Sequence, residues 1–495
     1  MKNRATGNLL LLICFSLAAF GVMGYHPGIE DDGIYLSAIK SNLNSSLYRQ
    51  DAGFFKRQAQ GTLFDESVAE MVRITHISVP VLALLLQLIS IFAILFACWS
   101  IARRLFEDRC AQWAGVALVA AMFTLPVAGT AIYLVDQHLH ARNVATVFIL
   151  FAIVQVMDGK RAQAAVLILV ALVMHPIMAA AGASFCVFLS LASSASTGAG
   201  ANFLKLRKST QTPAAAVLPM WVFEKPSAPW EKALNTRTYY FLYKWTWYEW
   251  LGAIGPIVLF TLLWRWAERK NRKALARFAL AVLAYGVVQQ LFAMIVLAPA
   301  SLVRLTPFQP MRYLQLEYFF LALIGGCLLG EFLLKSSVWR WALFLLAANG
   351  PMYAAQRAEF PASAHIEWPG ATPANPWLQA FAWIRANTPK NAYFALDPNY
   401  LEAPGEDYHS FRALAERSQL CDAIKDTAVV TQVPDLAPEW DREVTAQAGW
   451  RGFRIADFER LKHEFGVNWV LVTYPATNGL ECKWHNGTLA ACEIP

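Results

Sequence analysis

Long blocks of apolar residues constrain this chain more than any other feature, because each block is long enough to cross a lipid bilayer. About 30 Å of hydrocarbon must be crossed at roughly 1.5 Å per helical residue, so a spanning helix needs roughly 20 apolar residues. The blocks lie at Leu9–Met23 and at about 78–100, 113–133, 143–157, 163–193, 251–264, 275–298, 314–334 and 337–354. We therefore predict a polytopic α-helical membrane protein with about nine spans.

The composition supports a membrane protein. Hydrophobic residues make up 57% of the chain and charged residues only 16%, whereas soluble domains carry about 25% charged residues. The block at 163–193 is long and contains His175-Pro176, so it is either one bent helix or two half-spans, because proline kinks or breaks a helix. Eleven spans result if this block splits and a weaker stretch near Ala214–Phe223 also enters the membrane.

Lysine and arginine cluster in the loops that would lie on one side of the membrane, and the net charge of +7 reflects this pattern. Basic loops stay in the cytoplasm, so we predict a cytoplasmic N-terminus and no binding of nucleic acid. The loops at about 25–76, 134–142, 194–250 and 299–313, and everything after about 355, then face the other side. The basic residues of one outer loop conflict with this rule, which long loops obey poorly: Lys205, Arg207 and Lys208.

The C-terminal part has the pattern of a small soluble α/β domain. Four prolines between 361 and 376 mark a linker, so we divide the chain into a membrane domain (1–357) and a soluble domain (358–495). We predict helices at Pro376–Asn387, Ala413–Lys425 and Ile455–Phe465, and strands at 392–396 and 469–474. The turn dipeptide Asn486-Gly487 predicts a hairpin, across which Cys482 and Cys492 could form a disulfide in an oxidising compartment.

Three consecutive acids, Glu30, Asp31 and Asp32, follow the first apolar block within a few residues. Carboxylates beside hydrocarbon need a partner, a cation or a wet cavity, and they could accept a proton or hold a divalent cation. The alternative is a solvated loop that caps the next helix. The amphipathic segment that follows, Ile34–Arg73, is either a helix in the membrane interface or an ordinary loop helix.

Two further outer loops concentrate polar residues. In the first, Asp136 and Arg142 are either a structural ion pair or part of a polar site, while the spacing of His138 and His140 is poor for a metal. In the second, Arg304 and Arg312 flank Gln309 in a connection broken by proline. Arginine binds phosphate through bidentate hydrogen bonds, and anchoring to lipid head groups uses the same chemistry.

Two other features carry alternative interpretations. The aromatic stretch Arg237–Trp250 is typical of an interfacial belt, and it could also form a wall for a substrate. His175 lies within an apolar block, where a histidine is either a functional group or a packing residue.

These features together resemble the GT-C superfamily, whose members are membrane glycosyltransferases that use polyprenyl-phosphate-linked sugars. More narrowly, the chain resembles a bacterial family of multi-spanning proteins with the same architecture. The matching pieces are Glu30-Asp-Asp…Tyr35, Asp136…Arg142, His175-Pro176, Arg304…Gln309-Pro-x-Arg312, Trp383-Ile-Arg-x-Asn-Thr-Pro389 and Phe411-Arg…Arg417…Asp422-x-x-Lys425.

The resemblance implies transfer of a sugar from a polyprenyl-phosphate carrier to a glycan, lipid or protein acceptor on the outer face of a bacterial inner membrane. An acid of the first outer loop would then act as general base or help to bind acceptor or metal, which points to Glu30, Asp31 or Asp32. Arg304 and Arg312 become candidates for the carrier phosphate. The remaining candidates for substrate binding are Asp136, His138, Arg142, His175 and Gln309.

The acids read Glu-Asp-Asp rather than Asp-x-Asp, so the resemblance leaves a requirement for a divalent cation open. Two other classes of protein also remain open. A transporter or lipid-handling protein predicts acids at mid-membrane and pseudo-symmetric repeats. A membrane scaffold with a periplasmic binding domain predicts outer loops without a pocket.

Overall fold

The computed structural model describes residues 2–195 and 220–495, and these are mostly helical. The helices before residue 196 are α1 (Lys2–Met23), α2 (Asp32–Leu43), α3 (Gly53–Ala59), α4 (Phe64–Thr75), α5 (Val79–Leu105), α6 (Arg109–Ala121), α7 (Ala141–Met157), α8 (Arg161–Met174) and α9 (Pro176–Ala195). Those from residue 220 to residue 360 are α10 (Ala228–Asn235), α11 (Trp247–Arg269), α12 (Lys273–Leu297), α13 (Leu314–Leu329), a π-helical turn (Gly330–Leu334) and α14 (Val338–Glu359).

Within the described ranges, six helical segments are long and apolar enough to cross a membrane, so the chain is a multi-pass membrane protein. They are Ala5–Met23, Val79–Leu105, Pro176–Ser193, Trp247–Arg269, Lys273–Leu297 and Pro310–Leu334. Helices α7 and α8 are apolar but shorter. Helix α14 covers the predicted span at 337–354 and is less apolar than the six, so the predicted number of nine spans is not confirmed.

The predicted span at 113–133 is wrong as a single helix. Helix α6 is 13 residues long and ends at Ala121. The chain then forms a small antiparallel hairpin of β1 (Pro126–Val127) and β2 (Ile132–Tyr133). Pro126 has no N–H group to continue a helix, and Gly129 adopts the positive φ of +59° that the turn requires.

The long block at 163–193 consists of two helices rather than one bent helix, but α9 is itself long and apolar enough to span a membrane, so the alternative of two half-spans is not confirmed. Helix α8 ends at Met174, His175 is extended, and α9 begins at Pro176. Most of the weaker stretch near Ala214–Phe223, and the basic residues Lys205, Arg207 and Lys208, lie outside the described residues. Only the turn Met220–Phe223 of that stretch is described.

The charged residues between the apolar blocks meet at one end of the helical bundle, which we call the basic end. Arg104 near the end of α5 bonds Asp158 after α7 at 2.7 Å. Arg272 before α12 bonds Glu331 at 2.9 Å and lies over the ring of Phe106. The opposite ends of the same helices reach the loop at 134–140 and the 3₁₀-helical segments at 300–313, which therefore lie at the other end of the bundle.

The C-terminal part contains a mixed five-stranded sheet in the order β4-β3-β5-β7-β6. Its strands are β3 (Tyr393–Ala395), β4 (Ser418–Gln419), β5 (Trp469–Thr473), β6 (Glu481–His485) and β7 (Leu489–Glu493), and its helices are α15 (Pro376–Asn387), α16 (Phe411–Ala415), α17 (Lys425–Gln432), α18 (Ala437–Ala446) and α19 (Ile455–Phe465). The predicted helices at Pro376–Asn387 and Ile455–Phe465, both strands and the hairpin are confirmed. Cys482 and Cys492 form a disulfide across β6 and β7.

The predicted helix Ala413–Lys425 is wrong. The segment instead contains the end of α16, strand β4 and the first residue of α17. Glu416 adopts a left-handed conformation with φ of 54° and ends α16. The strand that follows is fixed by parallel pairing with β3, a long-range contact that local propensity does not encode.

Helix α2 lies neither in the membrane interface nor in an ordinary exposed loop, because all residues from Asp32 to Ser41 are buried. It packs beside α3, α4 and α16. Lys40 donates to the carbonyl oxygen of Ala413 at 2.7 Å and bonds Glu416 at 2.8 Å. Polar residues on several faces of α2 therefore find partners in the C-terminal part, which allows the whole helix to be buried.

The first loop and the C-terminal part also share a buried ionic network, which we call the junction. Its members are Lys40, Asp51, Arg412, Glu416 and Asp426. The Arg412 side chain bonds Asp51 at 2.7 Å and Asp426 at 2.9 and 3.2 Å. An apolar cluster around the junction contains Phe54 and Phe55 of α3 together with Trp440 of α18, so the two parts are joined through a common core.

Candidate active site

A cavity of about 910 Å³ lies at the end of the bundle opposite the basic end. Segments from the whole length of the chain line it. Its charged and polar side chains include Glu30, Asp31, Asp136, His138, His140, Arg142, His175, Arg237, Gln309, Arg312 and Lys425. All of the predicted site residues therefore meet here except Asp32 and Arg304.

The acidic loop between α1 and α2 is held by backbone bonds to the C-terminal part. Tyr25 donates to the carbonyl oxygen of His365 at 3.0 Å, and Glu30 donates to that of Tyr408 at 3.2 Å. Gly24 has φ of +76°, and a Cβ atom there would lie 2.6 Å from the His365 carbonyl oxygen. A glycine is therefore required where the loop leaves α1, and its close approach fixes the acids that follow.

Two buried histidines tie the same loop to the linker that follows α14. His26 Nδ1 lies 2.9 Å from one carboxylate oxygen of Glu367, and His409 Nε2 lies 3.0 Å from it. Burial would raise the pKa of Glu367, but the two histidines lower it to about 2. Burial lowers the pKa of His26, whereas Glu367 outweighs burial at His409 and raises the pKa of that imidazole.

Asp31 faces the cavity with both carboxylate oxygens engaged. Lys425 Nζ donates to one oxygen at 2.9 Å, and His140 Nε2 lies 3.2 Å from the other. The backbone N–H of Arg142 donates to His140 Nδ1 at 2.8 Å, so Nε2 carries the imidazole proton and donates to Asp31. Burial would raise the pKa of Asp31, but Lys425 and His140 hold it well below its usual value.

The other two acids of the loop have different surroundings. Glu30 has a half-exposed side chain and accepts from Lys425 Nζ at 2.8 Å. Asp32 is buried, accepts the backbone N–H of Gly28 at 2.7 Å and does not line the cavity. Burial raises the pKa of Asp32. The structure thus brings two acids of the three to the cavity and leaves the third as a support for the loop.

Asp136 and Arg142 form a bidentate ion pair, with distances of 3.1 and 2.6 Å. Gln87 and Asn143 hold the backbone of Asp136 through bonds of 2.7 and 3.1 Å. Burial would raise the pKa of Asp136, but Arg142 lowers it to about 2. The second terminal nitrogen of Arg142 is buried without a hydrogen-bond partner in the described structure, so the pair is structural and also leaves a donor at the cavity.

The two histidines of the predicted site lie on the cavity wall. His138 is buried, and neither of its ring nitrogens has a hydrogen-bond partner among the described residues. His175 lines the cavity at the break between α8 and α9, with its ring centroid 6.3 Å from that of His140. The break in the apolar block thus places an imidazole on the cavity wall.

The two predicted arginines of the later loop are separated. Arg312 lines the cavity with a buried Nε atom that lacks a hydrogen-bond partner, and within the described ranges no carboxylate forms an ion pair with it. Arg304 points elsewhere, donates to the carbonyl oxygen of Glu224 at 2.9 Å and stacks on Trp230. Gln309 lies between them in a left-handed conformation with φ of 48° that turns the chain.

The aromatic stretch Arg237–Trp250 has side chains both on the cavity wall and on the exposed surface. Tyr239 and Tyr240 line the cavity, and Gln309 donates to the Tyr240 hydroxyl at 3.2 Å. Tyr243 and Trp247 are 74% and 76% exposed, as expected for side chains of an interfacial belt.

Three residues of the cavity were not predicted as site residues from the sequence: Lys425, Arg237 and His140. Lys425 is the last residue of the Phe411…Lys425 segment that resembles the family, and Arg237 is the first residue of the aromatic stretch. Both positions therefore belong to sequence features that could have indicated them. Arg237 lines the cavity, its Nε atom is buried without a partner in the described structure, and its terminal nitrogen donates to the carbonyl oxygen of Ile424. His140 was set aside because its spacing from His138 is poor for a metal.

Comparison with known proteins gives a likeness of fold. No family model and no curated protein matches the chain. The apo oligosaccharyltransferase of Archaeoglobus fulgidus has a TM-score of 0.49 and 12% identity, over 94% of this chain and 69% of that one. AglB from the same organism, in complex with an inhibitory peptide and a dolichol-phosphate, has a TM-score of 0.47 and 11% identity over the same shares. A complex of the enzyme with Zn and sulfate has a TM-score of 0.41, 12% identity and shares of 93% and 67%.

At these identities the similarity concerns the fold.

Proposed function

We propose that the chain is a glycosyltransferase that moves a sugar from a polyprenyl-phosphate carrier to an acceptor at the outer face of a bacterial inner membrane. One observation carries the proposal. The acids Glu30 and Asp31, from the loop after α1, and the guanidinium of Arg312, just before α13, line one cavity at one end of the membrane helices. This transfer needs a carboxylate near the acceptor hydroxyl and unpaired guanidinium groups near the leaving phosphate.

In the proposed reaction, an acceptor hydroxyl attacks the anomeric carbon of the sugar. A carbon–oxygen bond forms to the acceptor, and the bond from the anomeric carbon to the phosphate oxygen breaks with its electron pair. The hydroxyl proton passes to a carboxylate of the acidic loop, Asp31 or Glu30. Lys425 and His140 lower the pKa of Asp31, so this carboxylate is ionised before the proton arrives. Arg312, Arg237 and the free donor of Arg142 would stabilise the charge on the leaving phosphate.

The surroundings of the cavity suit a lipid carrier. An apolar groove of about 380 Å³ lies between α11 and α13 and is lined by Leu125, Leu251 and Tyr318 among others. Leu125 adjoins Pro126, and Leu251 follows the cavity residues Tyr248 and Glu249 in α11, so the groove lies beside the cavity. A prenyl chain could occupy the groove while its phosphate reaches the arginines.

Two features support the proposed orientation. The basic residues lie at the end of the bundle away from the cavity, as expected for cytoplasmic loops. The disulfide of Cys482 and Cys492 suits an oxidising compartment for the C-terminal part. We therefore place residues 1–357 mainly in the membrane with a cytoplasmic N-terminus, and residues 358–495 in the periplasm, where Lys425 reaches the cavity.

The test is transfer of a labelled sugar from a polyprenyl-phosphate carrier in membrane vesicles, with glycan, lipid and peptide acceptors offered in parallel. We expect Asp31→Asn to lower the rate by about 10²- to 10⁴-fold, the usual contribution of a general base. Asp158→Asn, at the basic end, is the control and should leave the rate unchanged. Full activity in both Asp31→Asn and Glu30→Gln would contradict the proposed role of the acidic loop.

A further inference from the structure

Lys425 puts a positive charge at the place where an acidic loop would otherwise hold a metal ion. We propose that the ammonium group of Lys425 is the resident cation of this loop, so that the cavity binds no divalent metal ion between Glu30 and Asp31. A consequence that rests on the proposed function is that sugar transfer here is independent of divalent metal.

The position of the ammonium group carries the inference. Nζ lies 2.8 Å from Glu30 Oε2 and 2.9 Å from Asp31 Oδ1, so it bridges the two carboxylates that face the cavity. The Lys425 side chain is only 12% exposed, which leaves it little freedom to move into solvent. Burial alone would lower the pKa of Lys425, but Asp31 and Glu30 raise it, so the group is charged at neutral pH.

The remaining oxygen atoms do not form a site for a hard cation. Magnesium and manganese require about six oxygen ligands in near-octahedral geometry. The second oxygen of Asp31 is engaged by the N–H of His140, and Asp136 is engaged by Arg142. Across the described ranges, no three side chains of His, Cys, Asp or Glu are placed to hold a metal ion together. With the ammonium group of Lys425 in place, the donor set therefore does not fit the metal that the resemblance left open.

The helix that carries Lys425 is itself fixed. Asp422 accepts the backbone N–H groups of Ile424 at 2.8 Å and Asp426 at 3.1 Å, and also that of Lys425. Asp426 is in turn bonded to Arg412 of the junction. The ammonium group is thus held by the same buried network that joins the first loop to the C-terminal part.

A divalent ion and this ammonium cannot occupy one position, because two like charges about 3 Å apart repel strongly at the low dielectric of a buried site. Loss of the lysine charge would leave an empty position within bonding reach of two carboxylates. Such a position attracts a divalent cation, and this expectation makes the proposal testable without substrate.

The experiment measures binding of manganese to the purified full-length protein by electron paramagnetic resonance, which detects free Mn²⁺. We expect the unsubstituted protein and Lys425→Arg to bind no manganese at the acidic loop, because both keep the positive charge. Lys425→Met should gain one bound ion, and Lys425→Met with Asp31→Asn should lose it again. Lys390→Met removes an exposed lysine away from the cavity and serves as the matched control.

Two outcomes would overturn the proposal. One is a manganese ion bound to the unsubstituted protein and lost in Asp31→Asn. The other is a folded Lys425→Met variant that gains no ion. If Lys425→Met does not fold, manganese binding is compared between the unsubstituted protein and Asp31→Asn. Equal binding in these two proteins supports the proposal.

The catalytic consequence is tested separately by adding a chelator to the transfer assay. We expect the rate to stay unchanged in excess chelator and on addition of Mg²⁺ or Mn²⁺. A rate that falls in chelator and returns with metal would overturn metal independence. A complete lack of transfer would count against the proposed function, whereas the manganese measurement would still decide the role of Lys425.

Discussion

The junction and the cavity both bury charged side chains, and they differ in how completely those charges are paired. In the junction, Arg412 is fully buried and donates to Asp51 and Asp426 through three bonds. In the cavity, Arg312 and His138 have buried nitrogen atoms without partners in the described structure. The junction thus pairs its donors within the chain and leaves one acceptor, Asp51 Oδ1, without a partner in the described structure, while the cavity leaves donors open.

This difference separates structural from functional candidates better than residue type does. A buried donor without a partner costs about 1–3 kcal/mol, so several such donors at one cavity indicate a ligand, an ion or water that completes their bonds. Arg304 shows the converse. It belongs to the same loop as Arg312, but it donates to the carbonyl oxygens of Glu224 and Lys225 and does not line the cavity.

The largest effect is expected in the junction. Arg412→Met would leave Asp51 and Asp426 buried without a counter-charge and should lower the free energy of unfolding by about 3–5 kcal/mol. Denaturant unfolding in detergent measures this loss. Replacing both acids by asparagine in the same chain should recover part of it. A decrease in the free energy of unfolding of less than about 1 kcal/mol would mean that the junction does not stabilise the contact between the two parts.

The next effect is expected in the cavity and concerns activity rather than stability. Arg312→Met should lower the rate of sugar transfer by about 100-fold, because charged donors to a leaving phosphate contribute a few kcal/mol to the transition state. Its free energy of unfolding should stay the same or rise, since the variant removes a buried charge that has no partner. If Arg312→Met lowered the free energy of unfolding as much as Arg412→Met does, the proposed difference between the cavity and the junction would be wrong.

A smaller effect is expected from pH at the trio of His26, Glu367 and His409. The folded pKa of His409 lies above the unfolded value of about 6.5, so its contribution to stability is complete below that pH and is lost as pH rises through the folded pKa. His26 and Glu367 have lowered pKa values and contribute nothing that changes above about pH 6.5.

We therefore expect the free energy of unfolding to fall over the pH range between about 6.5 and the folded pKa of His409. Thermal unfolding across that range checks the fall, and His409→Gln should remove it. A slope that persists in His409→Gln would assign the pH dependence to another group.

The smallest effect is expected at the basic end. Arg104 and Asp158 bond at 2.7 Å, but both side chains are partly exposed. Exposed pairs contribute about 0–1 kcal/mol, so Arg104→Met should change neither unfolding nor transfer by a measurable amount. A large loss of stability would show that exposure is a poor guide to the value of an ion pair in this protein.

The sequence predicted those parts of the fold that depend on local signals. Helix α15 has Pro376 at its first position and ends before Thr388-Pro389, and the hairpin carries Asn486-Gly487. The breaks in the membrane part were harder to place. Pro126 and Gly129 end the apolar run at 113–133, yet the residues around them are as apolar as a span, so composition alone could not reveal the hairpin.

Sequence could place most of the candidate site, because polar residues at the ends of apolar blocks are few. It could not place Arg304 outside the cavity, since the bonds of Arg304 to the carbonyl oxygens of Glu224 and Lys225 are long-range contacts. It could not assign Asp32 to the support of the loop, because three adjacent acids look alike until the backbone is fixed. The resemblance included Lys425, but its contact with the acids could be found only from the fold, because hundreds of residues separate it from them.

The bridge that His26, Glu367 and His409 make between the membrane part and the C-terminal part has an evolutionary consequence. The partners that set the acidic loop come from both parts, so neither part can be exchanged for a relative's version without a matching change in the other. We expect the two parts to be inherited together as one unit, and a hybrid assembled from distant relatives to lose the geometry at Asp31 even where each half folds.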